Sequence, residues 1–194
     1  MTQFPESYWT ELYKKNEAAW DAGSITAPLK TYVDQLTDKD IKILIPGAGN
    51  GHEAEYLFTN GFKNVYVLDI SEAPIENIKK RIPTFPPEQL ITGDFFKHED
   101  RYDLIIEQTF FCALDRDLQK KYAAQMQSLL KTGGRLAGVL FIDPLDNTIP
   151  PFALPKQDYI HLFQPYFKIR TLEPCYNSIK PRQGRELFMI LEKP

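Results

Sequence analysis

From residue 41 onward, short aliphatic and β-branched runs alternate with stretches whose apolar positions recur every three to four residues. This is the trace left by parallel strands joined through helical crossovers. Strands are predicted at 41–45, 64–69, 90–92, 102–108, 135–142, within 166–174 and at 185–193. The first, second and fourth are nearly continuous apolar runs, as expected of strands covered by helices on both faces. Helices are predicted at 52–59, at 73–81 behind Ser71 as N-cap, at 118–131 and at 157–163. In the third of these, Leu118, Tyr122, Met126 and Leu129 form one stripe, and Lys131-Thr132-Gly133-Gly134 supplies the left-handed turn that ends the helix. The proline-dense stretch 143–155 reads as a surface loop near the site.

Ahead of residue 41 the pattern changes. Residues 7–20 form one predicted helix and 26–36 a second, opened by Thr26 and carrying Pro28 in its first turn. The chain thus reads as a single domain, 1–194, in which a helical cover at 1–36 precedes an α/β core at 41–194. Tyr8, Trp9, Tyr13 and Trp20 make that cover rich in rings, which serve either as packing or as walls for a ligand.

The turn after the first strand, Gly47-Ala48-Gly49-Asn50-Gly51, raises the question of a ligand. A dinucleotide fingerprint would require glycine where His52 stands, and no Gly-Lys-Ser/Thr follows, so a Walker phosphate loop is excluded. What remains is a glycine turn that lets backbone approach a ligand at a helix N-terminus. Asp69 ends the second strand 18 residues after Gly51, where an acid can accept from both hydroxyls of a ribose or, with Ser71, simply cap the next helix. After the third strand, the carboxylate of Asp94 can accept from an adenine amino group while Phe95 covers a ring face; the alternative is a turn acid beside a core aromatic.

Composition narrows the classes. A net charge of −3 gives no basic footprint for nucleic acid. No apolar run reaches membrane-spanning length, and the polar N-terminus lacks a secretory core, so a cytoplasmic protein is expected. Two cysteines, Cys112 and Cys175, and three scattered histidines suggest neither a disulfide framework nor a metal site.

The glycine turn, Asp69, Gly93-Asp94-Phe95 and Leu129–Gly134 together resemble the motif series of class I S-adenosylmethionine-dependent methyltransferases. Trp9, the run Ala18-Ala19-Trp20-Asp21-Ala22-Gly23, Glu107–Leu114, Ile149–Leu154 and Ser178–Phe188 narrow the likeness to the thiopurine S-methyltransferase family, nearest its halide and thiol methyltransferase branch. The resemblance covers nearly the whole chain. It implies a Rossmann-like, doubly wound seven-stranded sheet, mostly parallel with the last strand antiparallel, and an N-terminal helical cover closing over S-adenosylmethionine. By matching positions, Trp9 and Trp20 would flank the cofactor, while Gly47, Gly49 and Gly51 would hold its amino-acid moiety. Asp69 would take the ribose, and Asp94 with Phe95 the adenine; Ile70 and Glu107 join the cofactor set. Phe110, Phe111 and Phe152 would line the acceptor pocket, and Arg182 and Arg185 are either salt-bridge struts or acceptor contacts. Ala48 stands where relatives carry Cys and Gln108 where the halide branch favours an aromatic, which leaves the acceptor open.

The implied reaction is in-line displacement at a methyl carbon, which asks for alignment and dryness more than for a base. No Ser-His-Asp or paired-carboxylate constellation is present, and no residue is assigned as catalytic. Cys112 reads as an apolar filler, and His161 and Glu107 are the first residues to test should a base be needed. The expected partner is a small-molecule acceptor, for a monomeric enzyme with no metal. A nicotinamide oxidoreductase and a non-enzymatic adenosyl-ligand sensor stay open as other classes.

Overall fold

The computed structural model describes residues 4–142 and 148–194; positions 143–147 of the proline-dense stretch lie outside the described residues. Two helices open the chain, α1 (Glu6–Lys14) and α2 (Ala27–Val33). Strands and helices then alternate: β1 (Lys42–Pro46), α3 (His52–Thr59), β2 (Asn64–Asp69), α4 (Glu72–Arg81), β3 (Leu90–Thr92), β4 (Tyr102–Gln108), α5 (Arg116–Leu129) and β5 (Leu130–Phe141). The chain ends in α6 (Lys156–Phe163), β6 (Lys168–Pro174) and β7 (Glu186–Glu192). The seven strands form one sheet in the order β3-β2-β1-β4-β5-β7-β6. All neighbours from β3 to β5 pair in parallel, and β7 is inserted antiparallel between β5 and β6, as the resemblance implied.

Side-chain alternation along each strand feeds two cores. Ile43, Ile45, Val65, Val67, Leu104 and Ile106 face the side covered by α2, α3 and α4, where Leu29, Leu57, Ile75 and Ile78 meet them. Leu44, Ile105 and Leu136 face the other side, against Tyr122, Met126 and Phe163. Burial on both faces is why these strands lack a polar alternation.

Element ends depart from the sequence reading for local reasons. The first helix stops at Lys14, not at 20, because Asn16 takes a left-handed φ of +55° and Glu17 N–H turns back to Leu12 C=O at 2.9 Å. Asp115 starts α5 at Arg116 by accepting from Leu118 N–H at 3.1 Å. Gly133 is left-handed as expected, with φ +76°, yet Leu130 already pairs with Tyr102, so the strand begins before the turn and its register breaks beyond it.

Between β4 and β5 the backbones come unusually close at one pair. Gly138 lies opposite Glu107, and a Cβ on Gly138 would stand 2.0 Å from the Glu107 carbonyl oxygen. Backbone cannot swing away from such a contact without opening the ladder. Gly138→Ala is therefore expected to destabilise the fold by roughly 1–3 kcal/mol or more, measured by urea unfolding; an unchanged midpoint would show that the strands separate freely there.

Candidate functional site

The site lies at the carboxyl ends of the parallel strands, where the sheet order reverses on either side of β1. The turn leaving β1 holds Gly47, Gly49 and Gly51 at φ +56°, +53° and +66°, conformations that L side chains rarely adopt. Packing also demands them. A Cβ on Gly47 would meet the Phe110 ring at 2.1 Å, and one on Gly49 would meet the Tyr13 hydroxyl at 2.8 Å.

Asp69, at the end of β2, is buried behind this turn. Its Oδ2 accepts from Gly49 N–H at 3.0 Å and its Oδ1 from Ser71 N–H at 2.9 Å. Burial pushes the carboxyl up to about 6, against the pull of those backbone donors. Ser71 also caps α4, accepting from Ala73 N–H at 3.3 Å.

The N-terminal cover is tied to this frame at a few points. Thr10 Oγ1 lies 2.6 Å from Ser71 Oγ. Trp9 and Tyr13 share one face of α1 by their four-residue spacing, and both meet Trp20 edge to face, each with ring centroids 5.6 Å apart. Asp21 accepts from Asn50 Nδ2 in the glycine turn, sits 2.7 Å from His52 Nε2, and accepts from Gly23 N–H at 2.6 Å. Arg182 closes the ring by donating from Nη2 to the Trp20 carbonyl at 2.6 Å.

Together these segments enclose a cavity of about 760 Å³, within the ~300–1,000 Å³ range of small-molecule sites. Of the residues expected at the cofactor, Trp9, Trp20, Gly47, Asp69, Ile70, Asp94 and Phe95 line it, and Phe110 lines it from the acceptor set. Gly49 lines a smaller pocket that shares Trp20, Gly47, Thr109 and Arg182 with the large one. Gly51 lines neither and instead faces Ile78 of α4. Phe111 and Phe152 are buried behind the cavity wall, the first against Tyr122 at 5.0 Å between centroids and the second against Phe4 at 5.9 Å.

Tyr13, Thr109 and Arg182 belong to the lining without having been marked as cofactor residues by the sequence. The spacing of Trp9 and Tyr13 was a usable signal for the first. Thr109 carried none. It takes a left-handed φ of +58°, rare for a β-branched residue, and that single bend turns Phe110 onto Gly47. Among the described residues no histidine lines the cavity; His161 stands on α6 beside Gln157. Among the described residues no cluster could hold a metal ion, and no helix is long and apolar enough to cross a membrane.

The model of the family described as thiopurine S-methyltransferase matches residues 4–192. A probable thiol methyltransferase 2 of Arabidopsis thaliana is 27% identical over 194 aligned residues, covering 96% of this chain and 84% of that protein. A thiopurine S-methyltransferase of Vibrio campbellii is 32% identical over 179 residues, covering 83% and 82%. Among solved structures, the 1,6-didemethyltoxoflavin-N1-methyltransferase of Burkholderia thailandensis, crystallised with S-adenosylhomocysteine, superposes with a TM-score of 0.79. It covers 97% of this chain and 86% of its own at 16% identity, a likeness of fold.

Glu107 sits at the end of β4, fully buried and outside the cavity lining. Its Oε1 accepts from Phe110 N–H at 2.8 Å and Phe111 N–H at 3.0 Å, and its Oε2 accepts from Tyr122 OH. Burial raises the carboxyl from an ordinary 4.5 to about 7. Between these values the unfolded chain ionises while the folded one stays protonated, so stability falls as pH rises through the window and the loss is complete above about 7. Glu107→Gln keeps an acceptor for the two amides and cannot ionise. From pH 5 to pH 8 the variant is expected to lose roughly 2 kcal/mol less stability than the parent in urea unfolding; parallel losses would show that Glu107 ionises as freely folded as unfolded.

Proposed function

The chain belongs to the thiopurine S-methyltransferase family, and on that premise we propose that its methyl acceptor is a small soft nucleophile, a thiol or thiopurine first and a halide next. It is an S-adenosylmethionine-dependent methyltransferase. The observation that carries the acceptor reading is the character of the cavity. It is roomy and lined by many rings, and among the described residues no histidine lines it to take a proton from a hydroxyl or amine.

The residues present fit the cofactor. Trp9 and Trp20 supply ring faces of the kind that attract a sulfonium cation, and the glycine turn offers backbone for its amino-acid end. Asp69 lines the cavity and would accept from the ribose hydroxyls, with Ile70 beside it on the lining. Asp94 and Phe95 would take the adenine. When bound, S-adenosylmethionine supplies an activated methyl carbon, to which the acceptor's sulfur lone pair bonds as the old carbon–sulfur bond breaks and its electron pair stays with the departing sulfur. A thiolate acceptor leaves no proton to be moved. What the chain contributes is placement and dryness, an effect that can reach roughly 7–11 kcal/mol of a barrier. Phe110 is held for this by Glu107 at its amide and by Gly47 under its ring, while Phe111 and Phe152 back the wall. A monomer working in the cytoplasm completes the reading, its two cysteines buried and unpaired.

Two measurements test it. Asp69→Asn is expected to weaken S-adenosylhomocysteine binding by about 1.5–3 kcal/mol in calorimetry. Because the carboxyl titrates near 6, the parent's affinity should fall as pH drops below that value and the variant's should not; equal affinity in a folded variant would remove Asp69 from the ribose. At saturating cofactor, the rate with a thiol should climb with pH along that thiol's own ionisation, whereas iodide methylation should stay nearly flat. A bell-shaped profile common to both would reveal an acid or base on the enzyme.

A further inference from the structure

Two arginines from the same segment line the cavity, and they are in opposite situations. Arg182 is buried and held by one hydrogen bond and one ion pair, its Nη1 making no hydrogen bond among the described residues. Its Nη2 donates to the Trp20 carbonyl at 2.6 Å, its Nη1 faces Glu186 at 3.7 Å, and its guanidinium lies 5.8 Å from the Phe141 ring centroid. Arg185 has a fixed base and a free head. Its N–H donates to Arg182 C=O at 3.0 Å and its C=O accepts from Ile142 N–H at 3.0 Å, directly before β7 enters the sheet. Among the described residues no carboxylate pairs with its guanidinium, and Glu186, the acid next to it, is already turned to Arg182.

The surroundings explain what that head is for. The lining residues Pro150, Pro151 and Pro181 have no backbone N–H to donate, and the Phe141 side chain adds only carbon. Three of the acids that line the cavity are engaged elsewhere: Asp69 by Gly49 and Ser71, Asp94 by Phe96 N–H, and Asp115 by Leu118 N–H. Among the described residues Arg185 is thus a lining cation without a carboxylate partner, and its planar fork matches a carboxylate rather than a point charge. A cavity of about 760 Å³ also exceeds what a monatomic anion beside the cofactor would require.

We propose that Arg185 selects acceptors that carry a carboxylate in addition to the thiol, pairing with the carboxylate while the sulfur points to the methyl group. This rests on the methyl-transfer reading above and narrows its substrate class. Arg185 is a specificity residue here; the sulfur's lone pair still forms the bond.

The test compares mercaptoacetate with its neutral amide, mercaptoacetamide, as acceptors at saturating S-adenosylmethionine. The readout is the ratio of their kcat/KM values, in the parent and in Arg185→Gln, which cancels differences in thiol ionisation between the two compounds. The variant should lower the carboxylate-to-amide ratio by roughly tenfold or more, chiefly through KM. Arg185→Lys, which keeps the charge without the fork, should recover part of it. A ratio that does not move in Arg185→Gln overturns the assignment while leaving thiol methylation standing. No methylation of either thiol overturns both.

Discussion

A buried carboxylate at the end of β2 is the constraint from which the site is organised. Asp69 is held by the amides of Gly49 and Ser71, one from the turn after β1 and one from the start of α4. Neither segment can shift without leaving a buried charge short of donors, a cost of several kcal/mol for an uncompensated ion. Ser71 then passes the constraint outward through its hydroxyl to Thr10 of the cover. One side chain therefore fixes the glycine turn, the next helix and, at one remove, the lid of the cavity.

Across β1 the same device recurs. Glu107 stands one residue before the end of β4, as Asp69 ends β2, and its carboxyl gathers the amides of Phe110 and Phe111 with the hydroxyl of Tyr122. The two acids stand on the strands either side of β1, and each ties down the bend that follows its own strand. Both are pushed up by burial, to about 6 and about 7, so each costs stability when ionised. The difference between them is what they face. Asp69 opens on the cavity and Glu107 is sealed from it, so the first can serve a ligand while the second shapes the wall.

The cover is bound more loosely than the core. No residue of α1 is buried, even though Tyr8, Trp9, Leu12 and Tyr13 all line the cavity. Its rings find partners mainly in one another and in Trp20, and its polar ties run through Thr10, Asp21 and Arg182. Apolar surface held over a cavity in this way gains burial when the cavity fills, so ligand and cover stabilise one another.

Periodicity and turn chemistry made the sheet, its flanking helices and the strand-end placement of Gly47, Asp69 and Asp94 legible, because those features follow from short-range rules of burial and backbone conformation. The run from Phe110 to Phe152 was not legible in the same way. Which phenylalanine faces the cavity depends on a left-handed bend at Thr109 and a short helical turn after it, where no period of two or 3.6 applies. Glu107 looked like a ligand contact in the sequence and is a bracket for backbone in the fold, since only tertiary structure brings Tyr122 over its second oxygen. The two arginines of the last segment were equivalent as letters. What separates them is the Trp20 carbonyl and Glu186 around Arg182, contacts that depend on where a distant loop returns, and no local pattern in the chain encodes that return.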